Sequence, residues 1–482
     1  MSAEPPRYRR LADELSALIQ AGALRPGDRL PSVRQTQASR GCSAATVFQA
    51  YHLLEARGLI RAAERSGYFV APAAAPVATP AHEPQPVAVS EMVFQLLGTG
   101  GHEIHTPLGS AFPSPTLFPF ARLRSAMIAG SRRLVPEELT QQLPGGHEGL
   151  RRQIALRYLR LGMSIAPDEI VLTDGALEGL NLSLQLLTRP GDAVLIESPC
   201  FYAALQALER LGLRAIEVPT QAASGADLDA MARLIERHAP AACWLMTSFQ
   251  NPLGSLMPVE KKRALVALLE RHGIPLIEDD VYAELQHHGL PPLPAKAYAT
   301  QGGVLHAGSF AKTLAPGWRV GWVAAGRFAP ALQRAKLSQS LSGSWPAQAA
   351  IAHYLEGGDY ERHLRALRRA LAAQQRTLRA AVLRHFPAGT RVTQPEGGYF
   401  LWVELPAAHD SLSLQRAALQ EGISLAPGPL FCAQGRFLNC LRLNAGQPWT
   451  PTLAAAVARL GELIRSQTAA SAPYPPAPMQ AR

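Results

Sequence analysis

Residues 309–322 read Ser309-Phe-Ala-Lys312-Thr-Leu-Ala-Pro-Gly-Trp-Arg319-Val-Gly-Trp322. A lysine amine condenses with an aldehyde to form a Schiff base, a covalent role closed to arginine and histidine, and Lys312 supplies that amine. Ser309, three residues earlier, can donate its hydroxyl to a phosphate. Arg319, seven residues later, can clamp the same phosphate with its planar fork. Together the three suit a phosphorylated aldehyde. Most Ser/Lys/Arg runs are solvated surface, so the weight of the reading falls on what surrounds this one.

The segment lies between two short apolar runs, Val304–Ala307 and Gly321–Ala324. Similar runs occur at Ile170–Leu172, Ala193–Ile196, Ala242–Met246 and Pro275–Glu278, separated by amphipathic helical patterns. Continuous apolar strands spaced by helices predict an α/β fold whose mostly parallel sheet is buried on both faces. Ligands of such sheets gather at strand ends. After Leu172 the chain reads Thr-Asp-Gly175-Ala176 and opens a helix whose free amides suit a phosphate. After Ile196 come Phe201 and Tyr202, an aromatic face for a planar ring. After Met246, Asn251-Pro252 fixes an amide in a tight turn. After Ile277, Asp279 and Asp280 crowd an apolar strand terminus, where repulsion between carboxylates calls for a reason, and Tyr282 follows three residues after Asp279.

In this order, these strand-end segments resemble the fold-type I pyridoxal 5'-phosphate (PLP) enzymes of aminotransferase class I/II, across most of Pro107–Leu463. The resemblance implies that Lys312 is the Schiff-base lysine and that Asp279, with Asp280 as rival, holds the pyridinium nitrogen. It implies that Asn251 and Tyr282 bond the ring hydroxyl, that Phe201 stacks on the ring, and that Gly175, Ala176, Ser309 and Arg319 bind phosphate. Leu441-Arg442-Leu443-Asn444 matches the family's arginine for a substrate or effector carboxylate.

The first seventy residues are of another kind. Apolar positions Leu11, Leu15, Leu18 and Ile19 predict a helix over Tyr8–Ala21 stopped by Gly22. A second helix is predicted from Ser32 to Gly41, and a third from Ser43 to Arg57 stopped by Gly58. Leu59–Ala63 and Gly67–Val70 predict two short strands. Three helices and a hairpin make a winged helix-turn-helix, whose third helix enters the major groove of double-stranded DNA. "LRPGDRLPSVRQ", "TVFQAYHLLEARGLI" and "SGYFV" resemble the GntR family, which places DNA contacts on Arg34, Ser43, Thr46 and the wing glycine Gly67. One departure matters: the family's Ser-Arg-x-Thr is here Ser43-Ala44-Ala45-Thr46, without the arginine, which leaves Arg34, Arg40 and Arg65 to supply phosphate contacts. From Arg7 to Ala71 ten arginines face five carboxylates, so half of the formal charge of +10 belongs to this segment.

The organisation expected is therefore a DNA-binding domain over 1–71, a Pro/Ala-rich linker over 72–92, a PLP-binding domain over 93–465 and a disordered tail over 466–482. Five scattered cysteines predict neither a disulfide framework nor a metal site. Neither a membrane-length apolar run nor a secretion core is present, so the cytoplasm is the expected compartment. A GntR-type head tethered to an aminotransferase-like body resembles the MocR family of regulators. The body is then expected to sense PLP, or an amino acid or amine effector that displaces Lys312, and the fold-type I resemblance implies a homodimer. The alternative is a working aminotransferase with an accessory DNA head.

Overall fold

The computed structural model describes residues 6–20, 23–24, 27–56, 59–63, 67–70, 83–97, 103–140 and 145–467. The chain divides into two compact units between Thr79 and Pro80.

The small unit contains α1 (Arg7–Gln20), α2 (Val33–Arg40), α3 (Ala44–Ala56), β1 (Ile60–Ala63) and β2 (Gly67–Val70). β1 and β2 pair antiparallel, with Ile60 opposite Val70 and Ala63 opposite Gly67. Local chemistry sets the helix ends. Ser32 and Gln35 form a reciprocal capping box at the start of α2, and Gly41 stops it at φ +58°. The Ser43 hydroxyl accepts the Thr46 amide at 3.2 Å and so caps α3. Leu11 and Leu15 of α1 close a core with Val47, Ala50, Tyr51 and Leu54 of α3, together with Leu30, Ile60 and Val70. Within it the Tyr51 hydroxyl donates to the Pro31 carbonyl at 2.6 Å and lies 2.7 Å from the Thr36 hydroxyl. The stops assigned to Gly22 and Gly58, and Arg65 of the wing, lie outside the described residues, as does the tail from residue 468.

In the large unit the strands are β3 (Gln85–Pro86), β4 (Thr106–Pro107), β5 (Ile170–Thr173), β6 (Ala193–Ser198), β7 (Arg214–Gln221), β8 (Gly225–Ala226), β9 (Ala242–Leu245), β10 (Leu276–Asp279), β11 (Val304–Ser309), β12 (Gly321–Ala324), β13 (Arg391–Val392), β14 (Phe400–Glu404), β15 (Ile423–Ser424), β16 (Ala426–Pro427) and β17 (Cys440–Asn444). The main sheet has the order β3-β7-β6-β9-β10-β11-β12-β5. From β7 to β11 the neighbours are parallel, and β12 runs antiparallel to both β11 and β5. Alternate side chains enter opposite cores: Val194, Ile196, Trp244 and Ile277 on one face, Leu195, Cys243, Leu245 and Leu276 on the other. This two-sided burial is why the strands read as unbroken apolar runs. A second, antiparallel sheet has the order β13-β14-β17-β16.

The linker expected over 72–92 needs correction at its C-terminal end. Gln85 pairs with Ala215 across β3 and β7, and Arg214 donates to the Pro84 carbonyl at 2.9 Å. The Val89 and Ser90 amides donate to Glu209 at 2.7 and 2.8 Å, and α4 (Ser90–Leu97) follows. Pro86 is tolerated because β3 is a sheet edge, where the absent N–H leaves no neighbour unpaired. Residues 83–92 therefore belong to the large unit.

Candidate functional site

Three adjacent strands of the main sheet bring the first set of residues together. Gly321 lies opposite Ser309 on one side and Thr173 on the other. The end of β11, the start of β12 and the turn after β5 are thus neighbours, although the sequence separates them by up to 148 residues. Gly175 has φ +77°, and a Cβ on it would lie 2.3 Å from Arg319 Nη2. A Cβ on Gly321 would lie 2.6 Å from the Ala176 nitrogen. Both glycines are thus required by close approach. Arg319 itself has φ +52°, a left-handed backbone costly for a non-glycine residue, and its Nη2 reaches the Asp174 carbonyl at 3.5 Å. Ser309 Oγ accepts the Ala311 amide and donates to the Val320 carbonyl.

Lys312 follows β11 by three residues and is half-buried. Burial first, and then repulsion from the like charge of Arg442, lowers its amine to about 7. Nζ donates to the Ala111 carbonyl at 2.9 Å and lies 3.8 Å from the Phe112 ring centroid. Asp279 ends β10, beside β11. Burial first, and then Asp280, raises its carboxyl to about 7, and its Oδ1 is buried without a hydrogen-bond partner. Asp280 is committed elsewhere: its Oδ2 meets His306 Nε2 at 3.0 Å. His306 Nδ1 lies 2.6 Å from the Tyr158 hydroxyl, which accepts from Trp322 Nε1 at 2.9 Å.

Asn251 is buried beyond β9, with Nδ2 unpartnered and Oδ1 accepting from Arg442 Nη1 at 2.9 Å. Tyr282 is buried, its ring edge-on to Tyr399 and Phe400. Phe201 caps the helix Tyr202–Arg210 after β6 and packs against the same aromatic cluster. Arg442 enters from β17 of the second sheet and is fully buried. Its Nη2 donates to the Gly109 and Ser110 carbonyls at 2.7 and 3.4 Å, its guanidinium lies 4.2 Å from the Phe400 centroid, and Nε is unpartnered.

Sequence reasoning missed the segment 109–112. Its carbonyls take hydrogen bonds from Lys312 and Arg442, from Tyr399 on Ala111 at 2.9 Å, and from Asn444 on Ser110 and Phe112 at 3.1 and 2.6 Å. Tyr399 carried a usable signal, the glycine pair Gly397-Gly398 directly before the apolar run of β14. A Cβ on Gly397 would lie 2.4 Å from the Phe249 ring.

In the small unit Arg34 is exposed on α2. Ser43 is exposed at the cap of α3, 2.9 Å from the half-buried Thr46 hydroxyl, and Gly67 is exposed at φ +99°. Arg40, by contrast, pairs with Glu14 at 3.0 Å, so its charge is already partly matched within the unit. Among the described residues no cluster of three or more His, Cys, Asp or Glu could hold a metal ion, and no helix is long and apolar enough to cross a membrane.

Residues 118–460 match the family described as "Aminotransferase class I and II", and residues 7–70 match "Bacterial regulatory proteins, gntR family". The chain belongs to the MocR-type family. It is 45% identical to the uncharacterized HTH-type transcriptional regulator YdcR of Escherichia coli K12, over 96% of this chain and 99% of that one. With the probable rhizopine catabolism regulatory protein MocR of Rhizobium meliloti the identity is 26%, over 88% and 87%. Among solved structures, the MocR-type body is similar to LysN, the α-aminoadipate aminotransferase of Thermus thermophilus, solved with N-(5'-phosphopyridoxyl)-L-leucine. The TM-score is 0.70 at 31% identity, covering 77% of this chain and 94% of that one. The GntR-type head implies DNA binding, and the aminotransferase fold implies PLP dependence.

Proposed function

We propose that this MocR-type chain is a cytoplasmic, homodimeric transcriptional regulator that binds double-stranded DNA through its head and senses an amino acid or amine at a PLP site in its body. The observation that carries the reading is the pairing, near adjacent strand ends, of a half-buried amine lowered to about 7 with a buried Asp279 carboxyl whose Oδ1 has no hydrogen-bond partner. A buried carboxylate with an unpartnered oxygen is costly unless a cation completes it, and a pyridinium nitrogen is such a cation. The glycine-lined turn fits the other end of the same group, because Gly175 leaves room for close approach and Ala176 offers a helix N-terminal amide beside Arg319 and Ser309.

When bound, PLP supplies an aldehyde that captures primary amines and a ring that takes up electron density. The protein's own residues do the rest. Lys312 holds the cofactor covalently, and Asp279 keeps a proton on the ring nitrogen. Asn251 Nδ2 and Tyr282 donate to the ring hydroxyl, and Phe201 covers one ring face. Arg442 receives an effector carboxylate, exchanging for it the contacts it makes with Gly109 and Ser110. The test is an absorption spectrum of the purified chain with PLP, repeated for Lys312→Ala. A visible band in the wild type that is lost in the variant is expected; no band in either would overturn the cofactor reading.

A second reading, sustained transamination, is favoured by the likeness to LysN and by the complete residue set. Incubation with amino acids and a 2-oxo acid separates the two: multiple turnovers support the enzyme, while a single half-reaction or none supports the sensor.

A further inference from the structure

Beyond Ser43 and Thr46, the residues on the exposed side of α3 have been given no role so far, and they share the absence of a strongly basic group. Val47, Ala50, Tyr51 and Leu54 are buried, whereas Ala45, Phe48, Gln49 and His52 are exposed. Both sets follow the i, i+3, i+4, i+7 spacing, so each occupies one face. The outward stripe carries no arginine or lysine. His52 at its far end is matched by Glu55 at 3.7 Å, which leaves the first two turns with a methyl, a phenyl ring and an amide. Phe48 is 46% exposed, whereas the other large apolar side chains of α3 are buried or, for Leu53, half-buried.

Resting on the reading of the head as a DNA binder, we propose that this stripe reads A·T base pairs in the major groove, with Ala45 and Phe48 on thymine methyls and Gln49 on adenine. The N-terminal turns of a recognition helix are the ones that meet base edges. There a guanine is read by arginine or lysine, an adenine by the two-pronged amide of asparagine or glutamine, and a thymine by apolar contact with its methyl. This face offers the second and third and lacks the first. Its occupant is DNA rather than another apolar surface because the surrounding segment carries ten arginines against five carboxylates, the charge complement of a phosphate backbone.

The test uses the full-length chain to select from a pool of duplexes with a randomised core. The selected duplex is then remade with deoxyuridine for thymine, which removes only the methyl. Wild-type binding should weaken about fourfold per contacted methyl, the transfer value of one buried carbon. Phe48→Ala should be insensitive to the replacement at its own position, and Phe48→Leu, which keeps an apolar surface, should remain sensitive. Gln49→Ala should lose preference for one adenine by roughly 5- to 150-fold. A G·C-rich selected core, or binding indifferent to deoxyuridine, would overturn the inference while leaving the DNA reading intact. A change in subunit assembly on Phe48→Ala without a deoxyuridine effect would assign the ring to a protein contact and overturn it too. If no duplex were retained, the DNA reading itself would fall, and this inference with it.

Discussion

Lys312 and Asp279 are displaced from their ordinary ionisation in opposite directions by the same cause, burial. Each also opposes the other's displacement, since the amine lowers the carboxyl and the carboxylate raises the amine. Covalent capture needs the neutral amine, a fraction that grows as pH rises through about 7. Pairing with a pyridinium needs the carboxylate, which also grows as pH rises through about 7. The two requirements share a sign, so PLP uptake by the apoprotein should accelerate from pH 6 to pH 8. Stopped-flow absorption would measure it, and a flat profile would contradict the assignment. Replacing Asp279 by Ala should weaken cofactor retention by on the order of 3 kcal/mol, the scale for breaking a buried charge pair, with DNA binding unaffected. Asp280→Ala acts differently. It strips His306 of its acceptor and disturbs the Tyr158–Trp322 chain, so its effect should appear in stability before it appears in cofactor affinity.

At the level of elements, the turn between β5 and the helix Ala176–Leu187 shows how sequence and backbone constrain each other. Gly175→Ala puts a methyl against Arg319 Nη2 on a backbone already at φ +77°. It should weaken PLP binding by about 5- to 150-fold, matching the roughly 1–3 kcal/mol that this Gly-only backbone region costs another residue, while circular dichroism stays unchanged; wild-type affinity in this variant would show that the turn does not hold phosphate. The strands bearing this site were legible because two-sided burial makes them unbroken apolar runs. β7 was not, because Arg214-Ala-Ile-Glu217-Val-Pro219-Thr-Gln221 interrupts its apolar residues with charge and proline. Glu217 is nevertheless buried, satisfied by Arg436 at 2.6 Å from 219 residues away, and no local pattern announces a partner at that distance. The same holds for segment 109–112, which reads as a plain loop until Arg442, Tyr399 and Asn444 are seen to grip its carbonyls. In the head, capping residues announced the helices, and the core tyrosine could be located only in three dimensions. Tyr51→Phe should cost about 1–3 kcal/mol by stranding Thr36 and the Pro31 carbonyl, read as a lower melting midpoint of the head.

For the whole molecule the decisive quantity is the number of heads that engage DNA at once. One head engages one half-site, and a second head joined to it through the proposed homodimer meets the neighbouring half-site as part of the same complex. Joining two heads through a homodimeric body turns the second contact into an intramolecular event at an effective concentration in the millimolar range, which raises avidity by about 10²- to 10⁴-fold when both half-sites can be spanned. The full chain with PLP should therefore bind a duplex carrying two half-sites at least a hundredfold more tightly than one carrying a single half-site. Arg34→Ala, which is counted once per head, should weaken binding to the double site by about twice the free energy it costs on the single site, where the expected loss is about 1–3 kcal/mol. Titration of labelled duplexes at fixed salt measures both ratios, and sedimentation at micromolar concentration gives the assembly state independently. Equal affinity for one and two half-sites, or a monomer with PLP bound, would remove the paired-head arrangement and leave each body acting on its own head alone.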